Sequence, residues 1–194
     1  MAIIMPLPDR LTRLTLAASL PNFLRPDDPL VPALANAPGQ RVFILSLPQI
    51  REERRELDGT TRVGWRFLAT AGGQSAAAEV SEAADGEPPK LRSVSRGSQV
   101  AQAIQATHEA EALDQASTQD FELRVLRVPG LLIECIWLQA QGGGEGLVIP
   151  YLTPARQPEA ERILSIQRFL GVLRNSPAAK KDADDRPRYR RAGH

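Results

Sequence analysis

FELRVLRVPGLLIECIWLQAQGGGEGLVIPYL, residues 121–152, decides the fold. It holds three runs of branched and large apolar residues: FELRVLRV (121–128), LLIECIWLQA (131–140) and LVIPYL (147–152). Pro129-Gly130 separates the first two, and a glycine loop between Gly142 and Gly146 separates the second from the third. Val, Ile, Leu and aromatic side chains suit a pleated, half-buried surface, and Pro-Gly and Gly-rich connectors suit chain reversals. Three successive antiparallel strands are therefore predicted.

Upstream, RVFILSL (41–47) is apolar on both faces, as a central strand requires. The charged run REERREL (51–57) leads to Asp58-Gly59, a two-residue hairpin signal. The return strand alternates, with Val63, Trp65 and Phe67 on one side and Arg62, Gly64 and Arg66 on the other. Residues 41–71 thus read as a long hairpin whose polar tip projects into water, either as a solvated rim or as a contact surface. AAAEV (76–80) adds a strand, and SEAADGEPPK (81–90) reads as a loop.

Three helices are expected. Asp9 caps one that runs through Leu20, with Leu11, Leu14 and Ala18 sharing a face. Ser98 caps a second, with Val100, Ile104, His108 and Ala112 at i+4 spacing. A third covers 158–174, with Pro158, Glu159 and Glu161 in its first turn. Its apolar stripe is Ile163, Ile166, Phe169, Leu170 and Leu173, while Arg162, Arg168 and Arg174 face away. The sum is an α+β protein: a mostly antiparallel sheet of five or six strands with two or three packed helices. A helix and proline-rich N-terminal arm occupy 1–40, a single α+β domain 41–175, and a flexible basic tail 176–194.

The arm carries Pro21, Pro26, Pro29, Pro32 and Pro38. Proline removes donors and fixes φ, so neither helix nor central strand is expected there. Phe23, Leu24, Leu30, Val31 and Leu34 make the arm apolar enough to lie pinned on its own domain or on a partner. Phe23, Leu24, Leu30 and Val31 are its candidate partner-binding residues. In the tail, Arg186, Arg188, Arg190 and Arg191 surround Tyr189. Interleaved cations and a stacking ring suit an acidic protein surface or a phosphate backbone.

Composition narrows the chemistry. The 194 residues are 42% hydrophobic, enough for one core, and the net charge of +1 gives no overall steering toward polyanions. Lys occurs only at Lys90, Lys180 and Lys181, so 24 − 3 = 21 of the basic residues are Arg. The single cysteine, Cys135, excludes an intramolecular disulfide and a cysteine-based zinc site. The opening MAIIMPLP is proline-broken, and no apolar run approaches the roughly 20 residues of a membrane span, so a cytoplasmic protein is expected.

Catalytic signatures are sparse. His108-Glu109 begins like the zinc motif HExxH, but the second histidine position is Ala112. Cys135 shares a strand face with Ile133 and Trp137, an apolar setting that leaves a thiol inert. A dyad with His108 is sterically conceivable. Glu134 is a charge inside an apolar strand, either solvent-exposed or paired with an arginine such as Arg124. GGGEG lacks the lysine and following helix of a phosphate-binding loop. The expectation is a non-enzymatic protein-protein interaction module, an adaptor or structural subunit, with no catalytic residues, metal or cofactor. A small enzyme near His108 and Cys135, or a nucleic-acid-binding accessory protein acting through the tail, are the alternatives.

Overall fold

The computed structural model describes residues 2–52, 57, 59–83, 87–113, 119–153, 162–177 and 179–180. Its centre is a nine-stranded sheet: β1 (Ile3–Ile4), β2 (Gly39–Ile44), β3 (Thr61–Ala71), β4 (Gln74–Ser81), β5 (Leu91–Arg96), β6 (Phe121–Val128), β7 (Ile133–Ala140), β8 (Leu147–Leu152) and β9 (Leu164–Ser165). The order across the sheet is β5-β4-β3-β2-β6-β7-β8-β9, and β1 pairs with β6. Two antiparallel meanders, β2 to β5 and β6 to β8, meet at a parallel β2–β6 pair.

The meander expected from 121–152 is present, with β6 and β7 in unbroken register from Phe121↔Ala140 to Val128↔Ile133. The expected five or six strands become nine. Two of the three additions, β1 and β9, are two residues long and carry no readable pattern. The third, β5, is the polar edge LRSVSR. Arginines on an edge strand discourage pairing with other chains, and they also hide the strand from a pattern built on apolar alternation.

Five helices replace the expected two or three: α1 (Arg10–Ser19), α2 (Leu30–Asn36), α3 (Leu47–Arg51), α4 (Ser98–Leu113) and α5 (Ile166–Asn175). The proline-rich arm contains α2, contrary to the sequence expectation. Pro29 stands at its N-cap and Pro32 in its first turn, where backbone N–H groups have no intrahelical acceptor to lose. α3 interrupts the 41–71 hairpin, started by a capping box between Ser46 and Gln49. α5 begins at Ile166 under a Ser165 cap, eight residues later than expected, and 154–161 lie outside the described residues.

One face of the sheet carries α4. This helix turns Val100, Ala103, Ala106, Thr107 and Ala110 inward toward Val42, Leu123, Val125, Ile136, Leu138 and Ile149. The expected Val100-Ile104-His108-Ala112 stripe is rotated: Ile104 is half-buried, and His108 and Ala112 are exposed. Alanines let the helix approach the sheet closely, so small residues won the interior over the larger stripe.

The opposite face has two separate covers. α1 and α2 close over Trp65, Phe67, Ala76, Ala78 and Val80 with Leu16, Leu20, Leu30 and Leu34, all four fully buried. Each such leucine contributes about 1.5–3 kcal/mol of burial. α3 and α5 close over Leu126, Cys135, Trp137 and Val148 with Ile50, Ile166, Phe169, Leu170 and Leu173. Between the covers, Arg41, Phe43 and Arg124 of the middle strands, β2 and β6, are only partly buried. Among the described residues no helix is long and apolar enough to cross a membrane.

Candidate functional site

The orientation of α1 follows from its ends. The Asp9 carboxylate accepts from the Thr12 backbone N–H at 2.8 Å and from the Thr12 hydroxyl at 2.9 Å, which draws Thr12 inward. Arg13 donates to the Ala37 carbonyl at 2.6 Å and stacks 5.0 Å over the Phe67 ring. With Thr12 and Leu16 inside, the apolar face predicted from Leu11, Leu14 and Ala18 points outward. Leu11 is 51% exposed and Leu14 55%, and Leu7 (87%), just before the helix, and Ile4 (43%), on β1, are exposed as well. Arg10, the first residue of α1, is exposed and makes no ion pair among the described residues.

A cluster of arginines lies on the same sheet face as Ile4. Ile4 on β1 sits in register with Glu122 on β6. Glu122 holds two guanidiniums, Arg41 at 3.1 Å and Arg124 at 2.8 Å, one on each carboxylate oxygen. Arg41 stacks 5.6 Å over Trp65, and Arg124 lies 5.0 Å over Phe43 and 4.7 Å over Trp137. Burial alone would raise the Glu122 pKa, but Arg124 and Arg41 outweigh it and hold the carboxyl below its ordinary range. Two cations on one anion leave a charge of +1, and both Nε atoms are buried without an acceptor among the described residues. Stacking and the shared carboxylate fix the two guanidiniums, which is the state an incoming carboxylate needs.

The α4 face of the sheet carries a second charge cluster, and this one is closed. Arg66 reaches Glu79 at 3.0 Å and Glu134 at 2.9 Å, and Arg127 reaches Glu134 at 2.6 Å and Glu79 at 2.9 Å. The Tyr151 hydroxyl donates to Glu134 at 2.9 Å and accepts from Arg66. Two positive and two negative charges alternate in a ring, so their fields cancel. Burial pushes Tyr151 well above its ordinary value, and the Glu134 charge adds to this. For Glu79 and Glu134 burial acts upward, but the two arginines prevail and keep both ionised. Glu134 is therefore not exposed; it pairs with an arginine of the neighbouring strand, as the sequence allowed, but with Arg127 in place of Arg124. Its partner is Arg127, directly opposite in register, joined by Arg66. The sequence showed the misfit charge but not its partner on β3.

The residues singled out from sequence are dispersed. Cys135 is fully buried beneath α5, and burial raises its thiol pKa well above the ordinary value, with the Glu134 charge second. His108 stands on α4, so the sheet lies between it and Cys135. In the arm, Leu24 and Leu30 are buried on the protein's own β3 and β4, with Val31 packed against them, while Phe23 is 47% exposed. Arg186, Arg188, Tyr189, Arg190 and Arg191 lie outside the described residues. Among the described residues no three His, Cys, Asp or Glu side chains gather as a metal site. Comparison of the chain with protein-family models, with curated proteins and with solved structures finds no match.

Proposed function

We propose that this protein is a non-enzymatic protein-protein interaction module, an adaptor or structural subunit of a larger assembly. It docks its partner along α1 and the Arg41–Arg124 pair. The observation that carries this reading is the exposure of Leu11 and Leu14 on the outer face of α1, together with Ile4 and Leu7 in the segment before it. Single exposed leucines are ordinary, but a pair on one helix face, with two further exposed apolar residues in the segment leading into it, is the form of a docking edge. A helix with anchors at i and i+3 fits an apolar groove on a partner, and Leu11 and Leu14 of α1 keep that spacing.

Arg41 and Arg124, both partly exposed, supply the polar side of the same surface. Arg41 and Arg124 are already immobilised, so pairing them with a partner carboxylate costs little further side-chain entropy. The partner therefore presents an apolar groove with acidic residues at its rim. The single buried cysteine supports a cytoplasmic setting.

A photo-crosslinking side chain at position 11 or 14, introduced in the host cell, tests this reading. A discrete adduct is expected there and not from Leu132, which is 71% exposed on the β6–β7 hairpin. The adduct should vanish when Arg41 and Arg124 are replaced by Glu. An adduct of twice the chain's mass would identify the partner as a second copy. Equal labelling from position 132, or none at 11 and 14, would refute the docking edge.

A further inference from the structure

A cavity of about 290 Å³ opens beside α4, next to the closed charge ring, because Gln40 in its wall lies opposite Arg66 in register. Its volume sits at the lower end of small-molecule sites, roughly 300 Å³. Ile104, Thr107, His108 and Glu111 line it from α4 at i, i+3, i+4 and i+7, so they form one helix face. Met5, Gln40 and Leu68 line it from the sheet side.

The hydrogen-bond arithmetic here is lopsided. Gln40 is only 3% exposed, and its Nε2 donates to the Thr107 hydroxyl at 3.2 Å. That hydroxyl spends its own proton on the Ala103 carbonyl at 2.9 Å. Thr107 therefore offers Gln40 only lone pairs, which fixes the amide with nitrogen toward Thr107. The Gln40 Oε1 is then left buried with no donor among the described residues. A buried acceptor without a donor costs about 1–3 kcal/mol, so a donor brought by a ligand recovers that penalty.

Glu111, one turn beyond Thr107, makes no ion pair among the described residues, and no Lys or Arg lines the cavity. Of the other polar side chains in the lining, Thr70 shares a hydrogen bond with Ser75, while Gln40 Oε1 and the Glu111 carboxylate are acceptors. The remaining lining from Met5, Leu68 and Ile104 is apolar.

We propose that this cavity binds a small organic ammonium ion, its N–H groups shared between Gln40 Oε1 and the Glu111 carboxylate and its short aliphatic body against Met5, Leu68 and Ile104. The site is independent of the docking edge on α1, which lies on the other face of the sheet.

Isobutylammonium chloride, titrated into the isotopically labelled full chain and followed by amide chemical shifts, tests the site. Sodium isobutyrate and isobutanol, of the same shape, serve as comparisons. Saturable shifts at Gln40, Leu68, Thr107 and Glu111 are expected with the ammonium ion and not with isobutyrate. Glu111→Gln, at an exposed position, should weaken binding about ten-fold by removing one charge-assisted contact. Gln40→Leu should abolish binding. Because that change is buried and can disturb folding, Glu111→Gln alone suffices to decide. Isobutyrate binding as well as the ammonium ion, unchanged affinity in Glu111→Gln, or no saturable shifts with a groove that holds water only would each overturn the proposal.

Discussion

Arg66 on β3 and Glu134 on β7 meet at 2.9 Å although two strands, β2 and β6, lie between theirs. Three strand spacings on a flat sheet amount to roughly 14 Å, more than the two side chains readily span toward each other. The sheet must therefore curl toward α4, and the ring of Arg66, Glu79, Arg127 and Glu134 fills the inside of that curve.

Removing one member of the ring should cost far more than removing a rim charge. Arg66→Met leaves Glu79 and Glu134 short of a buried counter-charge, a loss of about 3–5 kcal/mol. Arg62→Met breaks the Arg62–Glu82 pair, whose arginine side chain is 39% exposed, and should cost about 0–1 kcal/mol. Urea denaturation of the two variants checks the difference, and equal losses would show that the ring contributes no more than a surface pair.

The same ring sets an acid limit. The carboxyls of Glu79 and Glu134 have folded pKa values below their ordinary 4.5, so the unfolded chain binds more protons across that interval. Their contribution is whole above about 4.5 and is lost as pH falls through the lowered folded values. The urea midpoint should drop on acidification below that point. A Glu79→Gln/Glu134→Gln double variant should start less stable at neutral pH and show a flatter acid limb.

Leu11 and Leu14 should be expendable for folding. Gln has a helix propensity close to that of Leu, so Leu11→Gln/Leu14→Gln should stay within about 0.5 kcal/mol of the parent while losing the crosslinked adduct. Leu16→Ala, on the opposite side of the same helix, should cost about 2–5 kcal/mol. A thermal melt beside the crosslinking experiment separates the two outcomes.

Gly64 is required by the approach of β4. A Cβ there would stand 2.2 Å from the Val80 carbonyl oxygen, a backbone atom that cannot move aside cheaply. The register shift between Val42 and Phe43 lies opposite it and bends the hairpin at this point. Gly64→Ala should destabilise by about 1–3 kcal/mol. Gly73, whose added Cβ would meet nothing, supplies a comparison, although its φ of 74° also favours glycine.

Cys135 should resist thiol reagents in the native state. It is fully buried, and its raised pKa keeps the proton on sulfur. Modification should track global unfolding as denaturant is added. Rapid native-state labelling would contradict the packing of α5 over β7.

Local chemistry was legible where neighbours in sequence are also neighbours in space. The β6-β7-β8 meander follows from apolar runs and turn residues a few positions apart. The Asp9 cap, the β3 alternation and the buried stripe of Ile166, Phe169, Leu170 and Leu173 follow from fixed spacings. Leu11 and Leu14 were legible as a helix face, but periodicity gives the spacing of a stripe and not the side it presents. That side was settled by Thr12 bonding to Asp9 and by Leu16 and Leu20 filling the space over β3 and β4. The parallel seating of β6 beside β2, the meeting of Arg66 with Glu134, and the pairing of Gln40 with Thr107 join residues 67 to 83 positions apart. Such contacts arise only when closing long loops is offset by shared burial, a free-energy balance over the whole chain that no short window of sequence contains.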